Sequence, residues 1–539
     1  MADMDIDQTA VDLPLLAAAA SEFSNYPGEI SDAAAESFLT KFPLLVLLTS
    51  LETGRDVPGL EVAVVTSLER IFRTPYGKRL LPHTLQYASV GLKAESPLVR
   101  KLTCVAIGDL LSAGENDGGA TVRALTESQL AAPLLLAVGD GDQYVAKAAV
   151  EALGKLAKSP GGLELIFTDR GAGVGVLRDL ASETSATVRI RALAMAATIF
   201  GVSEAAAAAV QGSGIFSVLA KELDNSDDML AQLNALELLC ELAVTPHGAR
   251  FLLAGNLIGR LTSTICNPAL DSLVRSRAMT VAARLTALYD ESPGSLMSGS
   301  EAAGIANAFG ELLKHLEDME QSGQTVDATE HENALDALSF IGKTIQGAEL
   351  LFNPRTMVAR HVMNAAFLHR ALNIKLAGIH ALATMTGSER DPSRVLLSDS
   401  AETQLKDMIY SAAAERSSTR TPAGMFLIFF QQSPEVRLAM YRFTTPMLAR
   451  IWCLRELCAS REVIDYLLDP RLETNKDAME WRHVCCVAMT TALSAAIERG
   501  QISSSESLSR LEEFVRKGPF QGKEEQKGAV PIYATQERM

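Results

Sequence analysis

Apolar residues recur along this chain in one five-position pattern. Val145 is followed by Ala149, Val150, Leu153 and Leu156, and Val188 by Ala192, Leu193, Ala196 and Ile199. Both sets sit at offsets 0, +4, +5, +8 and +11, which an α-helix gathers into one apolar stripe. The same template fits Val99 (Thr103, Cys104, Ile107, Leu110), Ala231 (Ala235, Leu236, Leu239, Leu242) and Val274 (Ala278, Met279, Ala282, Leu285). These five anchors are 46, 43, 43 and 43 residues apart. A period of about 40–47 residues marks HEAT and armadillo arrays of two or three helices per unit. Looser copies begin at Glu330, Ile374 and Trp481.

A second marker keeps the same period. Thr74-Pro75-Tyr76-Gly77, Ser159-Pro160-Gly161-Gly162 and Thr245-Pro246-His247-Gly248 each follow a helical stretch and precede an apolar pair, and Thr344-Ile345-Gln346-Gly347 is a copy without the proline. Proline ends a helix and glycine is expected to take the left-handed turn after it, so each motif predicts a corner. The glycines at 77, 162 and 248 are 85 and 86 residues apart, about twice the helix period.

The fold class is therefore all-α, an armadillo/HEAT-repeat superhelical solenoid of about 10–12 repeats over residues 31–520. An acidic segment, 1–30 and partly disordered, precedes it, and a polar tail, 521–539, follows it. Ser31–Leu51 and Leu60–Phe72 read as capping helices. Between the anchors at 274 and 330 the period stretches to 56 residues. Leu316–Glu332, with Glu317, Asp318, Glu320, Asp327, Glu330 and Glu332, predicts an exposed acidic loop and a helix start within that insertion. Beyond Ile374 the repeats degrade, with turns near Asp391-Pro392 and Ser433-Pro434, a buried helix over Met425–Phe430, and a helical stretch over Met447–Leu468, where Pro446 just before it suits a helix start.

Composition changes this picture little. Apolar residues make up 48% of the 539 and aromatic residues 5%, a balance that suits closely packed, Ala-rich helices. With 49 basic against 65 acidic residues the net charge is −16, which argues against nucleic acid as the main ligand and favours a basic protein partner. The N-terminus lacks a signal peptide's basic start, and no apolar run approaches the length of a membrane span. A soluble monomer is expected, cytoplasmic and also nuclear, with no membrane partner. Seven cysteines without disulfide or zinc spacing read as buried free thiols.

Candidate chemistry does not survive inspection. Gly342-Lys343-Thr344 resembles the end of a phosphate-binding loop, but the earlier glycine position is Ala337 and no strand precedes it. Gly171-Ala172-Gly173-Val174-Gly175 has the wrong spacing for a dinucleotide fingerprint, and Asp140-Gly141-Asp142 lacks the rest of a calcium loop. His361 and His369 find no third ligand at a familiar spacing, so they are expected at the surface or an interface. Neither an enzyme nor a cofactor is expected.

A binding surface remains. Offsets +3, +6 and +10 point away from the stripe, towards the concave side that the last helix of each unit lines in such arrays. They comprise Arg191 and Thr198; Asn234, Glu237 and Glu241; Arg277, Thr280 and Arg284; and Asn333, Asp336 and Phe340. Arg189 and Arg275, one residue after their anchors, are placed to pair with carboxylates of adjacent repeats.

The Pro-x-Gly corners with their apolar pairs, the Glu332–Gly342 helix leading to Gly347-Ala348-Glu349-Leu350-Leu351, and the closing Phe514-Val515-Arg516-Lys517-Gly518-Pro519-Phe520 together resemble the proteasome non-ATPase regulatory subunit 5 family. The resemblance spans Phe38 to Phe520. It implies a helical-repeat assembly chaperone for the base of the 26S regulatory particle, without enzymatic activity. Such a protein holds the C-terminal domain of a proteasomal AAA ATPase in its groove. It escorts a precursor containing two ATPases and a large non-ATPase base subunit, and is released before the mature particle forms. The alternatives are a generic armadillo/HEAT adaptor for another client and a DNA-repair-associated factor.

Overall fold

The computed structural model describes residues 12–54, 56–113, 118–167, 173–225, 228–255, 257–289, 297–324, 326–503 and 505–520. The acidic start, 1–11, and the tail, 521–539, lie outside them. The chain divides into two compact units, Met1–Gly248 and Ala249–Met539, and the described residues contain helices and no strand.

The stripe marks the helices on which each unit is built. We number these α1 to α10 and give the others by their bounds. In the first unit they are α1 (Leu60–Arg73), α2 (Pro97–Ala113), α3 (Gln143–Lys158), α4 (Ala186–Phe200) and α5 (Met229–Leu242). The second unit has α6 (Ser272–Thr286), α7 (Ala328–Ile341), α8 (Leu372–Thr386), α9 (Pro434–Met447) and α10 (Lys476–Glu498). Within each unit every one of these helices packs on the next in sequence. The result is an all-α repeat solenoid.

Two of the ten extend the sequence expectation. In α1, read as a cap, Leu60, Val64, Val65, Leu68 and Ile71 keep the full template and are buried. Residues before it do the capping: helix Leu13–Ser24 packs on α1, where Ser67 Oγ donates to the Ala20 carbonyl at 3.0 Å. In α9 the template falls on Val436, Met440, Tyr441, Thr444 and Met447, all buried. Pro446 lies inside the last turn of α9 and does not open a helix.

Local sequence sets the helix starts. Asp142, Asp228, Asp271 and Asp327 each accept a backbone N–H from the first turn of α3, α5, α6 and α7, satisfying donors that a helix leaves open. At the corners, Thr74, Thr245 and Thr344 accept the N–H of Gly77, Gly248 and Gly347 at 3.0, 3.2 and 3.0 Å. Of the glycines in these corners Gly161 is left-handed, with φ 80°, whereas Gly77, Gly162, Gly248 and Gly347 are not and correct the sequence reading. A Cβ on them would lie 1.8–2.0 Å from the carbonyl oxygens of Ile71, Leu156, Leu242 and Ile341. Close backbone approach, not turn handedness, requires glycine there.

The expected acidic loop is also different. Helix Gly299–Gln321 takes up much of the long interval with 23 residues. Ile305, Ala306, Phe309, Leu312, Leu313 and Leu316 are buried along it, and that periodicity carries the helix through Glu317, Asp318 and Glu320. Among the described residues of 316–332, only 322–324 and 326–327 leave helical structure.

Offset +1 falls inside the buried arc, and a polar residue often occupies it. Arg100 binds Asp140 through Nε at 2.7 Å and Nη2 at 3.0 Å. Arg189 reaches Glu222 at 2.7 Å. Arg275 holds Glu330 at 2.5 and 2.6 Å, and Arg437 holds Glu473 at 2.6 and 2.9 Å. Each also donates to carbonyls in the turn before its own helix: Ala94 and Glu95, Glu183 and Thr184, Asn267 and Leu270, and Gln432. At the same offset Gln232 caps the Leu223 carbonyl and Arg482 that of Asp469. The pairing expected for Arg189 and Arg275 is thus present. It also explains an acid at the Glu330 anchor, which is 1% exposed and bound on both oxygens by Arg275.

Replacing Arg275 with Met leaves Glu330 buried without its cation, an expected loss of about 3–5 kcal/mol. In Arg275→Met/Glu330→Met most of that loss is expected to return. Urea unfolding of the two variants measures the difference, and equal destabilisation would show that the pair does not act as a unit.

Candidate protein-binding face

The eleven candidate residues fall on the exposed side of α4 to α7, divided between the two units. On α4 and α5, which pack together, Thr198, Glu237 and Glu241 are exposed and Arg191 and Asn234 half-buried. On α6 and α7, Arg277, Asp336 and Phe340 are exposed, while Thr280, Arg284 and Asn333 are half-buried. The stripe explains this, since burying offsets 0 to +11 leaves +3, +6 and +10 outside.

Several of these residues already serve the fold. Arg191 Nη1 donates to the Asp140 carbonyl at 2.7 Å. Thr198 and Thr280 donate to the carbonyls of Ala194 and Ser276 at 2.9 and 3.1 Å. Asn333 Nδ2 donates to Ser276 Oγ at 3.1 Å, joining α7 to α6. The acidic members carry a different signature. Partial burial, reinforced by Glu237, raises the pKa of Glu241; partial burial, reinforced by Glu332, raises that of Asp336. Carboxylates in that state gain from a nearby cation.

In the second unit the face continues through residues that the sequence reading passed over. Lys343 lies over the Phe340 ring at 5.3 Å and binds Glu389 at 3.1 Å. Glu389 also faces Arg442 at 3.8 Å, and Arg442 lies over the Trp481 ring at 5.4 Å. Arg442 Nη1 donates to His380 Nδ1 at 3.2 Å; burial and that guanidinium push His380 down to about 4. The chain of contacts runs aromatic, cation, anion, cation, aromatic. Arg442 and His380 both lie at offset +6, and placing the template on Val436 would have found Arg442.

The rejected motifs also have structural duties. Lys343 is held by Phe340 and Glu389, and Thr344 caps helix Ile345–Leu351. Asp140 binds Arg100, and Asp142 caps α3. Gly171 and Ala172 lie outside the described residues. Of the cysteines, Cys266 is half-buried and the other six buried; burial pushes Cys104, Cys453, Cys458 and Cys486 up to about 12.

The histidines depart from expectation, because His361 is 9% exposed and belongs to a buried polar cluster. Its Nδ1 lies 3.0 Å from Glu317, and His369 Nε2 lies 2.8 Å from Glu320. His331, on α7, meets the His369 ring edge-on at 5.7 Å. A π-helical turn, Asn364–Leu368, brings Asn364 Nδ2 to 3.5 Å from Glu317. Gly378 of α8 packs on that turn, since a Cβ would lie 2.6 Å from the Ala366 nitrogen. Among the described residues no three His, Cys, Asp or Glu side chains are grouped to hold a metal ion.

A family model described as "Proteasome non-ATPase 26S subunit" matches residues 64–533. The chain belongs to this family. It is 24% identical over 500 residues to 26S proteasome non-ATPase regulatory subunit 5 of Homo sapiens, and 22% identical over 497 residues to that of Bos taurus. Both alignments cover 91% of this chain and 90% of the relative. Among solved structures, an engineered protein aligns with TM-score 0.41 and 16% identity, covering 81% of this chain and 98% of its own. A designed armadillo repeat protein aligns with TM-score 0.30 and 18% identity, covering 48% of this chain and 99% of its own.

Burial, then the nearby His369 and His361, lowers His331 to about 4 against the partly offsetting Glu317 and Glu320. The unfolded chain, with a histidine near 6.5, takes up the proton first as pH falls. Stability from this residue is therefore complete above about pH 6.5 and is lost progressively down to about pH 4. Between pH 7.5 and 5 the loss is about 2 kcal/mol. Urea midpoints across that range should fall less steeply in His331→Gln, and an identical slope would overturn the assignment.

Proposed function

We propose that this chain is an assembly chaperone for the base of the 26S proteasome regulatory particle. It holds the C-terminal domain of a proteasomal ATPase through the outward-facing residues of its stripe helices, those of α4 to α7 foremost, and is released before the mature particle forms. The observation that carries this reading is the family match over residues 64–533, which covers α2 to α10 in full. The raised pKa values of Glu241 and Asp336 and the Lys343–Glu389–Arg442 chain favour a charged, folded partner over an apolar segment. Many separate polar contacts suit holding with later release, because each contributes little and a competing subunit can displace them in steps. The large non-ATPase base subunit joins the same precursor. The protein acts by occupying a surface, not by catalysis, and works in the cytoplasm and nucleus.

Affinity capture with the full chain, followed by subunit identification, tests the proposal. Base ATPases are expected without the proteolytic core. Arg277→Glu/Arg284→Glu and, separately, Phe340→Ser are each expected to cut recovery about tenfold, roughly 1.4 kcal/mol. Recovery of no proteasomal subunit by the unaltered chain would sink the reading. Recovery unchanged in both variants would move the contact off this face.

A further inference from the structure

Near the start of the first unit, helix Leu44–Thr53 has the sequence LLVLLTSLET. It carries six aliphatic side chains, yet only Leu47 among them is buried. A comparably apolar helix in the second unit, Pro422–Phe430, behaves differently, with Met425, Phe426, Phe429 and Phe430 fully enclosed. The contrast is one of partners, not of composition. Leu44–Thr53 packs on α1, and its other side borders a cavity of about 870 Å³, within the size range of pockets that enclose a ligand.

The opposite walls of this cleft come from helix Leu81–Gly91 and from α2. Leu48 and Leu51 line one side, and Tyr87 and Val90 the other, together with the already buried Ala106 and Ile107. Val90 is 61% exposed. The half-buried Leu48, Leu51 and Tyr87 and the exposed Val90 leave apolar surface in contact with water, which forfeits favourable burial. Among the described residues its rim is acidic: Glu52, Glu61 and Glu95 border it, with Lys93 as the one lysine. Glu61 is fixed by the Ser96 hydroxyl, which donates to it across the cleft.

We infer that this cleft is a second docking site, distinct from the eleven outward-facing candidates on α4 to α7, and that it takes a short amphipathic helix of a partner protein with lysine or arginine along its edges. The apolar side of such a helix would fill the trough between Leu51 and Val90. Its cations would meet the rim carboxylates, the helix-in-groove arrangement with matched charge. Charge selects this occupant over a membrane surface, because three rim carboxylates repel the anionic headgroups that attract peripheral proteins.

The test uses the full chain and fluorescein-labelled amphipathic peptides of about 18 residues, one built of Leu and Lys and one of Leu and Glu, followed by fluorescence anisotropy. The Leu–Lys peptide is expected to bind at least about tenfold more tightly than the Leu–Glu peptide. Val90→Asp and, separately, Leu48→Asp are expected to weaken it about tenfold with unchanged circular dichroism and melting. Glu52→Lys/Glu95→Lys should reverse the preference between peptides, which a non-specific effect of the −16 net charge would not do. Absence of Leu–Lys binding, or equal binding by the wild type and both Asp variants, would overturn the proposal. So would co-sedimentation with phosphatidylserine vesicles, or concentration-dependent dimerisation, that Val90→Asp abolishes, since the face would then belong to a membrane or to a second copy.

Discussion

The buried arginine–carboxylate pairs are the contacts on which the repeats depend. A stripe of Ala, Leu and Val specifies that two helices pack, but it does not choose between registers one turn apart. Arg100, Arg189, Arg275 and Arg437 do so, because each guanidinium is satisfied at once by a carboxylate ahead of the next stripe helix or on it and by carbonyls of its own preceding turn. Sliding the register by one turn would strand donors and a carboxylate in the interior, at a cost of several kcal/mol per pair. The pairs thus act as register pins more than as a source of net stability. Where Ala146 occupies offset +1, the junction of α3 with α4 is held by Arg191 on the Asp140 carbonyl instead.

This division of labour governs what could be read from sequence. The stripe could be, because it is local and repeats: the α2 to α8 anchors sit where the template put them. Helix α9 escaped because Tyr441 and Thr444 occupy stripe positions where aliphatic residues were sought. Tyr441 is tolerated there because its hydroxyl donates to Glu473 at 2.9 Å, the carboxylate that Arg437 grips. A polar residue in the stripe is intelligible only once its partner is known, and that partner is 32 residues away. The long acidic stretch misled for the same reason. Glu317 and Glu320 look like loop residues until His361 and His369 are seen against them.

The candidate face was half legible. Periodicity sets which residues point outward, and the outward assignment of Glu237, Asp336 and Phe340 needs nothing else. Which of them remain available is a tertiary matter. Asn333 and Arg191 are drawn into bonds with neighbouring repeats. Lys343, Glu389, Arg442 and Trp481, scattered over nearly 140 residues, converge because α7, α8, α9 and α10 lie side by side. No spacing rule within one helix encodes that convergence.

Pinning register inside the stripe has a consequence for the outer face. Because offset +1 carries much of the polar specificity of the array, offsets +3, +6 and +10 carry less of it, although Arg191 and Asn333, both at +3, still bond neighbouring repeats. The exceptions test the logic. Arg442 lies on the outer face yet has a buried Nε without a hydrogen-bond partner, and its guanidinium adds to the burial that lowers the pKa of His380. Such a residue couples the two layers: a partner that engages Arg442 must also perturb the α8–α9 contact beneath it. Binding energy spent there is partly returned as strain in the array, which lowers affinity while leaving the position specific.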